Sequence, residues 1–397
     1  MSRDRYIFNC KIISCLVFVL TSIVSPSSHP DSHYEETVIE SIKNIQDLDI
    51  DSPLDSINNI LENYPNSKIG HLILADLLAA KAGSKRLIEN YAEDKDQLNG
   101  LRDELRYRWQ HIELNQPASM GKIPGSIIQL SNHQEHIIVV DASKARLYIF
   151  KHTRGQYQLV DHYYMTVGKS GMGKSEEGDL RTPIGVYAVT SYIPGETLPP
   201  RYGPGAYPIN YPNKFDRLQQ RTGYGIWIHG TEPDNYNRVP LASDGCVSLS
   251  NDEFIAISRY ITTDGNTPVL ISTEFQWMDQ NQINAKKLKF NQIIGRWISD
   301  WESRDPAKYL KHYSKHFKTE SHTYSSWSEH KSRINPSKEY IKVEIDNLSI
   351  FNYPGEENMV MMSFNQDYQS NNYSNQSTKT MYWKKNANNE WKIIYEG

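Results

Sequence analysis

The spacing of apolar positions changes character twice along the chain. Between about residues 34 and 115, apolar residues recur at helical spacing, as in SPLDSINNILENYPNSKIGHLILADLLAAKAG, and LRDELRYRWQHIEL continues the pattern. Tyr64-Pro65-Asn66 interrupts it and predicts a break between two helices. From His136 the period shortens. HIIVVDASKARLYIF predicts two strands around a tight turn at Asp141-Ala142-Ser143-Lys144. QYQLVDHYYMTV, IGVYAVTSYI, GIWIHG and CVSL follow as strand-like runs. DEFIAISRYI, one short helix, precedes PVLIS, the last strand of this stretch. The last third is helical first and then β. FNQIIGRWISDWESRD and PAKYLKHYSKHF predict two amphipathic helices, and EYIKVEIDNLSIFNY, NMVMMSFNQDYQS, TKTMYWKKN and EWKIIYEG predict an antiparallel sheet. QWMDQNQINAKK reads as the linker before them. The pattern predicts a multidomain chain: an N-terminal α-helical segment, a central mainly-β domain and a C-terminal α+β domain.

Composition adds little to this picture. The 397 residues leave room for two or three domains, and a net charge of −4 provides no basic surface for nucleic acid. The 26 tyrosines against 10 phenylalanines suit half-buried strand faces. The N-terminus is more telling. Arg3, Arg5 and Lys11 precede the apolar run IISCLVFVLTSIV, and SPSSHPDS then turns polar. This is the layout of an export signal over residues 1–27, cleaved or kept as an anchor that tethers the chain to the membrane. It predicts a periplasmic location. Cys10 and Cys15 fall within it, leaving Cys246 as the one cysteine of a cleaved chain. A single thiol in an exported protein is a buried filler, a partner-linking group or a nucleophile.

GKSGMGKS (Gly168 to Ser175) fits the phosphate-cradling pattern G-x-x-x-x-G-K-[ST]. Such a loop needs a helix opening at its Lys-Ser. Here Gly178, Pro183 and Gly185 follow within a few residues and block one. The stretch predicts a hairpin loop, and no nucleotide or other cofactor is expected.

Two stretches carry the chemistry: GYGIWIHGTE (Gly223 to Glu232) and LASDGCVSLSND (Leu241 to Asp252). His229 ends one strand-like run and Cys246 opens another. If the strands are neighbours, imidazole and thiol meet. The thiolate is the nucleophile, and an imidazole takes the proton and returns it to a leaving amine. The amides of Gly245 and Cys246 are candidate oxyanion donors, and the Gly230 carbonyl is a candidate to orient His229. One Cys and one His lack further ligands at metal spacing, so no metal site is expected.

IHG followed by S-x-G-C-V resembles the YkuD-type L,D-transpeptidase domain. IVVDASKARLYIF, VGKSG and RTPIGVY match that domain's running pattern in order, across about residues 136 to 272. The resemblance implies an enzyme that attacks tetrapeptide stems of peptidoglycan after their third residue. It releases D-alanine, forms a thioester on the cysteine, and passes the acyl group to an amine on a second stem or a protein. With water as acceptor it is an L,D-carboxypeptidase. Carried over by position, Cys246 is the nucleophile, His229 its base and Gly230 the orienting carbonyl, while Ser243 and Gly245 shape the pocket. Trp227, Tyr224, Asp244, Arg238 and Arg181 are candidate substrate contacts.

The commonest family pattern places His two residues before the cysteine and Arg two after it. Asp244 and Ser248 stand there in this chain. Arg238, Lys169, Lys174 and Arg181 become candidates to replace the missing arginine. A subgroup with an acidic residue before G-C carries a C-terminal domain similar to the cone-shaped nuclear transport factor 2 and SnoaL folds. It includes a carboxypeptidase that helps set helical cell shape. The expected organisation is a helical, tetratricopeptide-like region over 30–125, a catalytic domain over 130–274 and a nuclear-transport-factor-2-like domain over 285–397. The competing reading is a wall-binding module without catalysis.

Overall fold

The computed structural model describes residues 33–46, 51–83, 95–113, 118, 120–236 and 238–397. The expected export signal over 1–27 lies outside the described residues. Among the described residues no helix is long and apolar enough to cross a membrane.

Four helices open the described residues: α1 (His33–Gln46), α2 (Asp51–Asn63), α3 (Lys68–Lys81) and α4 (Lys95–Glu113). The break at Tyr64-Pro65-Asn66 falls where proline and its neighbours predict it. Ser67 then caps α3, its hydroxyl accepting the Gly70 N–H at 3.0 Å. Val38, Ile57, Ile60, Ile69 and Ile73 form the core of this helical region.

The central domain is built on a five-stranded sheet. In chain order the strands after the helices are β1 (Ile123–Pro124), β2 (Ile127–Gln129), β3 (His136–Asp141), β4 (Arg146–Thr153), β5 (Gln156–Tyr164), β6 (Val167–Gly168), β7 (Gly185–Ala188), β8 (Ile193–Pro194) and β9 (Gly205–Pro208). After helix α5 (Lys214–Leu218) come β10 (Trp227–His229), β11 (Leu241–Ser243) and β12 (Val247–Ser248). Helix α6 (Asn251–Ile257) leads to β13 (Pro268–Ser272) and β14 (Trp277–Met278). The main sheet has the order β5-β4-β3-β13-β7.

Both faces of that sheet are covered, so its strands read as continuous apolar runs. Alternation still decides which core each side chain joins. Ile138, Val140, Leu147, Ile149, Val269 and Ile271 enter one core; Ile137, Val139, Tyr148, Phe150 and Leu270 enter the other. The first core is shared with Ile228 and Val247 on the small sheet β12-β10-β9-β8. The second is shared with Phe351, Tyr353, Met359 and Tyr382 of the C-terminal domain. The main sheet thus separates the strands of the candidate site from the seam between domains.

Helices α7 (Gln280–Glu302), α8 (Pro306–Leu310) and α9 (Tyr324–Ile334) and strands β15 (Tyr313–Lys318), β16 (Ile341–Asn352), β17 (Met359–Ser370), β18 (Tyr373–Lys385) and β19 (Trp391–Glu396) form the C-terminal domain. Its sheet runs β15-β19-β18-β17-β16-β2, so β2, which precedes the strands of the central sheet, closes its edge. Three expectations need correction. The expected linker is largely helix, because Ile283 continues the buried stripe Phe290, Ile293, Ile294, Trp297 and Trp301 of α7. The second predicted helix stops at Leu310, and YSKHFK is strand β15. Helix α9 falls in a stretch for which no element was predicted.

Candidate active site

Strand β10 lies between β9 and β12. It pairs with β12 in parallel, Ile228 opposite Val247 and His229 opposite Ser248. Ile228 and Val247 point into the core, so Trp227, His229 and Ser248, with Cys246 just before β12, share the other face. His229 lies opposite Ser248, two residues beyond Cys246 on the neighbouring strand. The Trp227 N–H donates to Cys246 Sγ at 3.4 Å, and the thiol donates to the Gly225 carbonyl at 3.4 Å.

The loops hold this face in place. Ser250 caps α6 with a reciprocal Glu253 contact, and Asn251 Oδ1 accepts the Thr231 N–H at 2.7 Å, fixing the chain beyond His229. Gly245 has φ +124°, a conformation that favours glycine, and a Cβ there would lie 2.8 Å from the Arg181 carbonyl. Ser243 Oγ donates to the Cys246 carbonyl at 2.6 Å, and Thr182 Oγ1 donates to the Gly245 carbonyl at 2.9 Å. The cysteine backbone is thus held on both sides.

His229 Nδ1 donates to the Gly230 carbonyl at 2.6 Å. In the neutral ring this leaves Nε2 as the unprotonated nitrogen, able to take a proton. Burial pulls the imidazole down to about 4, against the Gly230 hydrogen bond that favours the charged form. Burial likewise pushes the Cys246 thiol up to about 11, opposed by the Trp227 N–H and by Arg238. At neutral pH the pair rests as thiol and imidazole, not as thiolate and imidazolium. The Gly245 N–H departs from its expected role: it donates to Ser243 Oγ at 3.1 Å and is already used. No backbone carbonyl of the described residues takes the Cys246 N–H.

Of the four candidate substitute cations, the structure brings Arg238 to the site. Its Nη1 donates to Ser248 Oγ at 2.6 Å and its Nη2 to the Ala242 carbonyl at 3.4 Å, and its charge acts on Cys246. It reaches the residue that stands where the family pattern has arginine. Lys174 is used elsewhere: it is buried, 2.8 Å from the Asp179 carboxylate. That carboxylate also accepts the Ser175, Glu176 and Arg181 N–H groups, so GKSGMGKS ends in a pinned loop, with no helix after Ser175. Lys169 pairs with Asp244 at 2.9 Å on the exposed rim. Arg181 donates to the Met172 carbonyl at 3.0 Å, and Tyr224 is 78% exposed on the loop before β10.

One contact escaped the sequence reading. The Tyr202 ring packs against Trp227 at 5.0 Å and edge-on to His229 at 4.9 Å, and the Arg201 guanidinium lies 4.9 Å from the Tyr202 ring. It arrives from a Pro-Gly-rich segment well upstream of both His229 and Cys246. Nothing local in LPPRYGPG signals it.

A mainly-β domain carrying this His-Gly and Ser-x-Gly-Cys face is followed by an α+β domain. Residues 135–271 match the L,D-transpeptidase catalytic domain, YkuD, and residues 289–397 match the Cds6 C-terminal NTF2-like domain. The chain thus carries a stretch similar to that catalytic domain ahead of one similar to that C-terminal module. Among solved structures, Bdellovibrio bacteriovorus Bd1075 is similar at TM-score 0.61 and 29% identity, over 70% of this chain and 97% of that one. The helical cell shape determining protein Pgp2 from Campylobacter jejuni is similar at TM-score 0.58 and 26% identity, over 71% of this chain and 98% of that one. No curated protein matches.

Proposed function

We propose that the chain is a periplasmic cysteine enzyme that opens tetrapeptide stems of peptidoglycan through a thioester on Cys246. The observation that carries this is the shared strand face of Cys246 and His229, with His229 Nδ1 on the Gly230 carbonyl at 2.6 Å. The location rests on the N-terminal sequence pattern.

His229 Nε2 takes the Cys246 Sγ proton as sulfur attacks the carbonyl carbon of the third stem residue. The carbonyl oxygen becomes an oxyanion facing the Cys246 N–H. The C–N bond then breaks, His229 returns the proton to the leaving amine, and D-alanine departs. The neutral resting pair makes proton transfer part of the attack. An amine or water next adds to the thioester, His229 accepts its proton, and sulfur leaves to recover it. Arg238, beside the thiol, holds a substrate carboxylate.

An amine acceptor makes the chain a transpeptidase, joining the acyl group to a second stem or a protein. Water makes it a carboxypeptidase. The second reading is favoured by the likeness to the helical cell shape determining protein Pgp2, because the subgroup that the sequence resembles includes a carboxypeptidase that helps set helical cell shape. Mass spectrometry of disaccharide-tetrapeptide incubated with the protein, beside Cys246→Ala, decides. Tripeptide lost in the variant shows hydrolysis, and a dimer joined between third residues shows transfer. Unchanged tetrapeptide in both samples rejects the proposal.

A further inference from the structure

Arg238 sits on a segment gripped by the N-terminal helices as well as by the catalytic domain. On the catalytic side, Thr166 Oγ1 donates to the Pro240 carbonyl at 2.9 Å, and the Val167 N–H donates to the same carbonyl at 3.0 Å. On the helical side, the Tyr236 ring packs against Tyr34 of α1 at 5.4 Å and against Tyr64, after α2, at 4.8 Å. Val239 presses on α4 where that helix carries Gly100: a Cβ there would lie 2.6 Å from Val239 Cγ1. Any other residue at position 100 would displace the neighbour of Arg238.

A third link runs through the backbone of Arg238 itself. Its carbonyl accepts the Tyr164 hydroxyl at 2.9 Å. The Tyr164 ring lies 4.1 Å from the Arg108 guanidinium of α4. Arg108 is in turn held by Glu104 of α4 at 2.9 Å and by Glu35 of α1 at 3.1 Å. Glu35 also takes both terminal nitrogens of Arg146 on β4, the Nη1 contact at 2.9 Å. These groups are buried, so the ion pairs are little screened and their geometry is narrowly set. Beyond the segment, the Arg238 side chain extends to Ser248 Oγ and the Ala242 carbonyl.

We propose that α1 and α4 position Arg238, and that the helical region thereby sets the preference for substrates bearing a carboxylate beside the scissile bond. This rests on the reading that Arg238 holds that carboxylate. The helical region is on this account a positioning element for the site. It contributes no atom to the chemistry; it decides where the cation stands.

The test uses full-length protein and Gly100→Ala, which raises intrinsic helix propensity and pushes only on Val239. The probes are iodoacetate and iodoacetamide at pH 9, read by mass spectrometry on the peptide carrying Cys246. Their rate ratio reports the cation beside the thiol without requiring turnover. Arg238→Gln is expected to lower the ratio by about fivefold, the effect of one unit charge at contact distance in water. Gly100→Ala should move the ratio most of the way to that value and raise the tetrapeptide KM severalfold, with kcat within about twofold. Gly100→Ala/Val239→Ala, which restores the space, should return both toward wild type. A wild-type ratio in Gly100→Ala, a double variant that fails to recover, or an Arg238→Gln ratio equal to wild type overturns the proposal. If tetrapeptide is not cleaved at all, the functional reading fails while the ratio still decides the positioning.

Discussion

The resting charge state of the site makes a prediction that separates two kinds of cysteine enzyme. With the thiol pushed up to about 11 and the imidazole pulled down to about 4, the proton stays on sulfur across the physiological range. An ion-paired cysteine would instead be thiolate well below the ordinary thiol value of about 8.5. At pH 7.5 a thiol at about 11 is ionised to roughly 3 parts in 10⁴, against roughly 9 in 100 for an unperturbed one. Cys246 should therefore react with iodoacetamide about 300-fold more slowly than a free cysteine at that pH. The logarithm of the rate should rise with unit slope from about pH 6 to 10 without levelling off.

The assay is the alkylation rate of the Cys246 peptide against pH, in wild type and His229→Ala. The two profiles should nearly coincide, because neutral imidazole contributes little charge to the resting thiol. Turnover should respond differently. Losing the base should cost about 10²–10⁴ in kcat/KM. The base limb follows from the sign of the shift: a depressed imidazole value keeps His229 unprotonated until pH falls toward about 4, so activity should persist well below pH 6.5. A plateau in the alkylation profile below pH 8, abolished by His229→Ala, would refute the neutral-pair reasoning and establish an ion pair instead.

Other outcomes follow from named contacts. Glu35→Ala leaves Arg108 and Arg146 buried without their shared carboxylate, and should cost about 3–5 kcal/mol in urea unfolding, a loss that Arg106→Ala on the exposed face of α4 should not show. Gly245→Ala forces φ +124° on an L residue and drives its Cβ against the Arg181 carbonyl; tetrapeptide turnover should fall at least about tenfold with the Tm lowered. Lys169→Ala removes a half-exposed ion pair with Asp244 and should change stability by less than about 1 kcal/mol.

How much of this is legible in the sequence depends on whether the relevant spacing is local. The hairpin of β3 and β4 was legible because two buried strands leave an unbroken apolar run with turn residues between them. That the strands of His229 and Cys246 be neighbours was legible as a condition, and the parallel register meets it. β15 was misread for a definite reason. Its buried residues Tyr313 and Phe317 are four apart, and four is even, so they share a face in a strand as well as in a helix. The Gly245 amide was misassigned because the Ser243 hydroxyl two residues away competes for it. Arg238 could be named as one of four cations, but nothing along the chain says which one the helices and Thr166 would hold against Ser248.

The least legible feature is also the one that ties the molecule together. Ile127–Gln129 is a three-residue strand with no turn signature of its own, yet it pairs with β16 more than two hundred residues later. Ile127 sits in the core beneath the catalytic sheet and Ile128 in the core of the C-terminal domain, so successive side chains of one short strand enter two domains. Asn213, which caps α5, donates to the Val186 carbonyl of β7 and to the Tyr353 hydroxyl, both at 2.9 Å, and the Phe215 ring lies 4.9 Å from that of Tyr353 and 5.4 Å from that of Tyr382. A chain ended before α7 would expose Phe215 and Ile127 and leave the buried Asn213 amide short of a partner, at about 1–3 kcal/mol for the amide alone. That truncated chain should therefore aggregate or unfold instead of behaving as a free catalytic domain. A soluble truncation with a wild-type Tm and intact Cys246 reactivity would show that the seam is only a surface. The catalytic sheet would then be stable without it, and the C-terminal domain would be an appendage and not the second wall of a shared core.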